Sequence, residues 1–154
     1  EGWYHTGDLL LQHPEGDYTF AGRLREAIRR RGEMIPAASV ESAALEHPWV
    51  LEAAAVGVPA PEGVEEEIKL CAVAREGRTL DPAELHAHLR SRLPGFMTPR
   101  FIAILEALPK TPSTRVRKVE LSEAGSATAW DARALRGRRI RRPSSPQAPD
   151  RPPL

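Results

Sequence analysis

The sequence predicts a small α+β domain, a mixed sheet packed with helices. Three observations carry that expectation. Two apolar runs of strand length, "VLEAAAVGV" and "EIKLCAVAR", flank the turn-rich "PAPEGVEEE". A helix start is marked at Asp81, with Pro82 at the first helical position and Glu84 three residues after the cap. The stretch "DLLLQHPEGDYTFAG" sets two short strand patterns around the turn signal His13-Pro14-Glu15-Gly16. Strands and helices interleaved in this order suit a two-layer α+β packing.

The elements follow in order. After the hairpin, "REAIRRRGEMIP" reads as a helix-like start broken at Gly32 and closed by Pro36. On that reading Arg29 to Arg31 form a solvated helix face and Gly32 is a C-cap. In "AASVESAALEHP", Val40, Ala43, Ala44 and His47 recur at helical spacing on one face, and the helix stops before Pro48. The two apolar strands come next. Behind the Asp81 cap, Leu85, Leu89 and Leu93 form a buried stripe. "RFIAILEAL" is a further strand, and "RVRKVEL" starts a last short helix.

Composition bounds the function classes. The chain of 154 residues is 41% hydrophobic and 28% charged, ordinary for a single globular domain. Its apolar runs are too short for a membrane-spanning helix. The opening residues show neither a basic n-region nor an apolar h-region, so a cytoplasmic location is expected. The single cysteine, Cys71, lies in an apolar run and reads as a buried structural thiol. The net charge is +1, but seven arginines fall in residues 126–154, against Asp131 and Asp150. The ending "RRPSSPQAPDRPPL" is expected to be a disordered basic, Pro-rich tail rather than a nucleic-acid binder, because no aromatic residue follows Trp130.

Three polar stretches are poor core. In "WYHTGD", Gly7 allows a tight turn, and Asp8 then presents a carboxylate suited to a pair of vicinal hydroxyls, as on a ribose. In "FAGRLREAIRRRGEMI", Gly32 would admit a ligand to the backbone and the arginines beside it offer phosphate partners. In "LPKTPSTRVRK", two prolines stiffen a segment that delivers Arg115. His5 reads as a packing residue. His86 and His88 are two apart on a helix and cannot share a face, so no metal pair is expected.

Taken in order, "GWYHTGD", "YTFAGRLREAIRRRGEMI", "MTPR" and "LPKTPSTRVRK" resemble the C-terminal part of the adenylate-forming superfamily, from Gly2 to about Leu121. That superfamily comprises acyl-CoA synthetases, luciferases and peptide-synthetase adenylation domains. "GRLREAIRRRGEMI" is most similar to acyl-CoA ligases of the crotonobetaine/carnitine-CoA ligase type. The resemblance implies a fragment. Residues 1–24 would be the end of a large AMP-binding domain, 25–125 a mobile lid, and 126–154 the tail.

It also implies a reaction: a carboxylic acid is joined to the α-phosphate of ATP, and the acyl group then passes to the thiol of CoA. Asp8 and Arg23 would bind the nucleotide, Arg25 would be the hinge, and Gly32 with Arg31 would border the CoA tunnel. Mg²⁺ would arrive with ATP, and no protein-bound metal is expected in this chain. The missing large domain would be the principal partner, and the piece alone would be inactive. The family's last motif usually ends Gly-Lys, where this chain reads Thr114-Arg115. Arg115 is the expected catalytic cation, with Lys110, Arg117 and Lys118 close by in sequence. Two alternatives stay open: a stand-alone regulatory or docking module without catalysis, and the lid of an adenylation domain that loads a carrier protein.

Overall fold

The computed structural model describes residues 2–60 and 65–134. Its elements run β1 (Asp8–Gln12), β2 (Tyr18–Arg23), a 3₁₀ turn (Leu24–Glu26), β3 (Ala27–Arg30), β4 (Glu33–Pro36) and α1 (Ala37–Leu45). They continue β5 (Val50–Pro59), β6 (Glu66–Ala74), α2 (Pro82–Arg92), β7 (Phe101–Leu105), α3 (Lys118–Glu123) and β8 (Trp130–Asp131). The expected α+β class is what the chain adopts. Most of the basic tail lies outside the described residues.

The largest sheet has the order β5-β6-β7-β8. Its β6–β7 pair is parallel, with α2 in the connection, and its β5–β6 and β7–β8 pairs are antiparallel. The central strand β6 explains its own composition. Ile68, Leu70 and Ala72 point into a core shared with α1 and α2, through Val40, Ala44, Leu85 and Leu89. Cys71 and Val73 point to the other face, against Val56, Val58, Phe101, Leu108 and Leu121. A strand covered on both faces must be apolar at successive positions, and the sequence signal was therefore a run and not an alternation. Cys71 is fully buried, and desolvation pushes its thiol pKa up.

Local signals placed the helices. Asp81 caps α2 by accepting a hydrogen bond from the Ala83 N–H at 3.0 Å. Buried Lys69 reaches the C-terminal end of α3, donating from Nζ to the carbonyls of Leu121 at 3.1 Å and Gly125 at 2.6 Å. Leu121 lies in the last turn of α3 and Gly125 just beyond its end, so the ammonium acts as a cap.

One stretch differs from expectation. Residues 27–36 form the antiparallel pair β3–β4 and not a helix, with Ile28 opposite Ile35 and Arg30 opposite Glu33. Arg31 and Gly32 make the two-residue turn, at φ 53° and 79°. Gly32 is thus a hairpin glycine and not a helix C-cap. Packing outweighed propensity here: Ile28 and Ile35 face each other across the hairpin, and both are buried in the core. The short β8 was not expected at all; it pairs Trp130 with Ile102 and Asp131 with Phe101. Among the described residues, no helix is long and apolar enough to cross a membrane.

The histidines give a pH signature. His47 stacks edge-on to His88 at 5.2 Å between ring centroids, and burial followed by the charge of His88 lowers its pKa against the opposing pull of Glu84. His86 packs on Trp130, and burial with nearby Arg90 lowers its pKa too. A base with a lowered folded pKa binds fewer protons folded than unfolded, so its stabilising share is full above the unfolded value of 6.5 and is lost as pH falls below it. Urea midpoints should therefore decline as pH falls from 7 into the range below 6.5, and a His47→Gln, His86→Gln double variant should flatten that decline. An unchanged slope in the double variant would contradict this.

Candidate functional site

Three surfaces carry the residues expected to do chemistry. The first is the open end of the β1–β2 hairpin. Antiparallel register sets Asp8 opposite Arg23, with Arg23 Nε 3.8 Å from Asp8 Oδ1. Both side chains keep solvent access, at 32% for Asp8 and 51% for Arg23, so their mutual pairing is weak and both remain available to a ligand. The Leu24 N–H donates to the Gly7 carbonyl at 2.7 Å and closes the strand ends. Gly7 holds φ 74°, which its lack of a side chain permits. Thr6, Gly7, Arg23 and Leu24 line a shallow concavity of about 360 Å³ beside this pair.

The second surface follows immediately. Arg25 lies in the 3₁₀ turn Leu24–Glu26, between β2 and the start of β3. At the far end of β3, the Arg31–Gly32 turn projects from the hairpin with both residues exposed.

The third surface is the loop carrying Arg115. Lys110 and Val116 form an antiparallel bridge. Between them the Thr111 N–H donates to the Arg115 carbonyl at 2.8 Å, and the Thr114 N–H donates to the Thr111 carbonyl at 2.9 Å. This is a three-residue hairpin loop, a tight turn followed by a left-handed residue. Thr114 is that residue, with φ 64°. Thr114 stands where the family resemblance implies glycine, and the backbone gives the physical reason: the position holds positive φ.

Arg115 is 60% exposed and directs Nη2 to Glu26 Oε1 at 3.1 Å. Glu26 also receives Lys118 Nζ at 3.3 Å, and Lys118 reaches Glu41 at 2.7 Å. Burial alone would raise the Glu26 pKa, but Lys118 and Arg115 outweigh it and hold the carboxyl below its ordinary range. The other basic residues of the segment are engaged as well: Lys110 with Glu52 at 2.7 Å, and Arg117 with Glu120.

The structure thus brings Asp8 and Arg23 together, and ties Arg115 to the turn that contains Arg25 through Glu26. Arg31 and Gly32 sit on a separate turn. Sequence reasoning missed Glu26, Glu41, Glu65 and Glu66. An acidic run such as 65–67 reads as solvated surface, and only the fold shows what it faces. No group of three or more His, Cys, Asp or Glu side chains is arranged to hold a metal among the described residues.

The family model described as the AMP-binding enzyme C-terminal domain matches residues 39–115, from α1 to Arg115. The chain belongs to that family. Among relatives of this AMP-binding C-terminal domain, the sulfoacetate–CoA ligase of Cupriavidus necator is 40% identical over 121 residues, which is 79% of this chain and 24% of that protein. The peroxisomal trans-cinnamate:CoA ligase of Petunia hybrida is 37% identical over 79% of this chain and 21% of its own length. Among solved structures, the amide bond synthetase McbA of Marinactinospora thermotolerans superimposes with a TM-score of 0.71 at 31% identity, over 80% of this chain and 25% of that one. The chain therefore spans about a quarter of the length of these proteins. The family match covers the Arg115 loop but neither the Asp8–Arg23 pair nor the Arg31–Gly32 turn.

A stability test follows from the loop. Thr114 is β-branched and held at positive φ, so Thr114→Gly should stabilise the fold by about 0.5–1 kcal/mol, the left-handed strain relieved less the extra backbone entropy of glycine. Chemical denaturation measures it, and a loss of stability would show that the Thr114 side chain is worth more than the strain it causes.

Proposed function

We infer that the chain is the C-terminal lid of an ATP-dependent acyl-CoA ligase, and that its partner is a large N-terminal AMP-binding domain. In this reading Asp8 and Arg23 hold the nucleotide sugar, Arg25 is the hinge, and Arg31 with Gly32 borders CoA. Arg115 stabilises the charge that develops between carboxylate and α-phosphate. The observation that carries the reading is the Arg115 hairpin: a cation presented from a tight loop, after a left-handed residue, in a chain of this family. ATP, with its Mg²⁺, and CoA enter as substrates. The lid contributes charge and orientation, and no proton transfer is required of Arg115. The domain division at residues 24/25 and 125/126 belongs to this proposal, as does a cytoplasmic setting.

The acid remains a carboxylic acid and nothing narrower. The relatives are named for sulfoacetate, trans-cinnamate and oxalate, which share the carboxylate and little else. A second reading, a lid of the same fold without catalysis, is favoured by one observation: arginine stands in the place of lysine and already has a carboxylate partner in Glu26. A forked, planar guanidinium does not substitute freely for a point charge.

The two readings part in the full-length ligase, assayed for acid-dependent pyrophosphate release and for CoA thioester formation. Wild type should perform both steps. Arg115→Ala should slow pyrophosphate release by about 100- to 1000-fold, the cost of removing one preorganised charge from such a site. Arg115→Lys should keep most of the rate. Failure of the wild type to adenylate any acid, with activity restored by Arg115→Lys, would instead establish the non-catalytic reading.

A further inference from the structure

The Arg31–Gly32 turn is held from outside its own hairpin. β3 pairs with β4 along one side only, so its other edge presents unpaired N–H groups. One of these, on Arg29, and the Arg31 N–H in the adjoining turn are taken by carboxylates at the start of β6 and just before it. Glu66 Oε2 accepts from the Arg29 N–H at 2.9 Å, and Glu65 Oε2 accepts from the Arg31 N–H at 2.9 Å. Charge-assisted bonds to backbone N–H groups are stronger than neutral ones and fix geometry. The second bond falls on a strained residue, since Arg31 holds φ 53°, a conformation that side-chain-bearing residues rarely adopt.

A glycine on the neighbouring strand makes room for this arrangement. A Cβ built on Gly57 of β5 would lie 2.5 Å from Glu66 Oε2 and 2.6 Å from its Cδ. The Glu66 carboxylate therefore passes through the space that any side chain at position 57 would fill. Nothing in the local conformation of Gly57 calls for glycine, as its φ lies outside the positive range. The close approach of Glu66 does.

We propose that Glu65 and Glu66, with Gly57 as the gap that admits them, are positioning residues that preorganise the Arg31–Gly32 turn for the CoA-dependent half of the reaction. The proposal rests on the ligase reading above. The carboxylates touch backbone amides and not substrate, so they act through the turn. A turn held in a strained conformation before CoA arrives need not be ordered at binding. The adenylation step, assigned to Arg115 on a different loop, does not draw on this clamp.

The test uses Glu65→Ala/Glu66→Ala and, separately, Gly57→Ala in the full-length ligase. The methyl group of Gly57→Ala displaces only the end of a flexible side chain, so that variant folds while losing the Glu66 contact. Both variants should raise KM for CoA or slow thioester formation by about tenfold, as small misplacements of a site do, with acid-dependent pyrophosphate release within about twofold of wild type. Glu65→Gln/Glu66→Gln keeps acceptor oxygens and should retain most of the CoA step. A parallel fall in both half-reactions, or no change in either, would overturn the proposal. Amide hydrogen exchange at Arg29 and Arg31 separates the two levels of failure. Unprotected amides in wild type would refute the clamp itself. Protected amides in a wild type inactive in both steps would contradict the ligase reading, and with it the role given to the clamp.

Discussion

The buried contact between Arg30 and Glu67 is the constraint on which the arrangement of this domain depends. Arg30 Nε lies 2.8 Å from Glu67 Oε2, with both side chains below 10% exposure. The Nε–H does not point along the contact, so the pair is held by charge more than by that hydrogen bond. The guanidinium is oriented instead by its Nη1, which donates to the carbonyls of Phe96 at 2.8 Å and Thr98 at 3.0 Å. Burial lowers the Arg30 pKa and Glu67 opposes that shift, yet an arginine so far from its titration range stays charged. A charge carried inside a fold is tolerable only with partners of this kind.

Glu67 is also the meeting point of other elements. Arg133 Nη2 reaches its Oε1 at 3.1 Å, and Arg100 Nη1 stands 3.8 Å from the same oxygen. Arg100 in turn grips Asp131 through Nε and Nη2 at 3.2 and 3.1 Å. Burial alone would raise the Asp131 pKa, but the hydrogen bonds from Arg100 and from the Arg133 N–H prevail and lower it. One cluster thereby joins β3, the central strand β6, the entry to β7 and the short β8. The hairpin that carries the Arg31–Gly32 turn is docked on the large sheet by the residue next to that turn. Position 30 points inward as an anchor, while Arg29 and Arg31 remain at the surface.

This division of labour explains what the sequence did and did not reveal. The Asp81 cap, the Pro14–Gly16 turn and the apolar β5 and β6 runs are local signals, and each landed where expected. Asp8, Arg23, Arg31, Gly32 and Arg115 could be singled out as candidates because their motifs are short and contiguous. Residues 27–36 were misread because "REAIRRR" is rich in helix formers, and the decision for strand comes from distant contacts: Ile28 and Ile35 in the core, Arg30 on Glu67. β8 is only two residues long and is fixed by Arg100–Asp131, a pairing across 31 positions of sequence. Glu65, Glu66 and Glu26 reach their partners across separations of 34, 37 and 89 residues, and no local pattern encodes such contacts. The strain at Arg31 and Thr114, by contrast, sits inside the very motifs that drew attention to these loops.

The charge cluster, and not hairpin propensity, holds β3–β4 on the sheet. A double-mutant cycle on Arg30→Met and Glu67→Leu, read by urea unfolding, tests it most directly. Glu67→Leu should cost about 3–5 kcal/mol, because it removes the carboxylate facing a buried guanidinium, and the double variant should be less destabilised than the sum of the two singles. Single losses below about 1 kcal/mol that simply add would contradict the account, since that is the behaviour of an exposed, energetically idle pair.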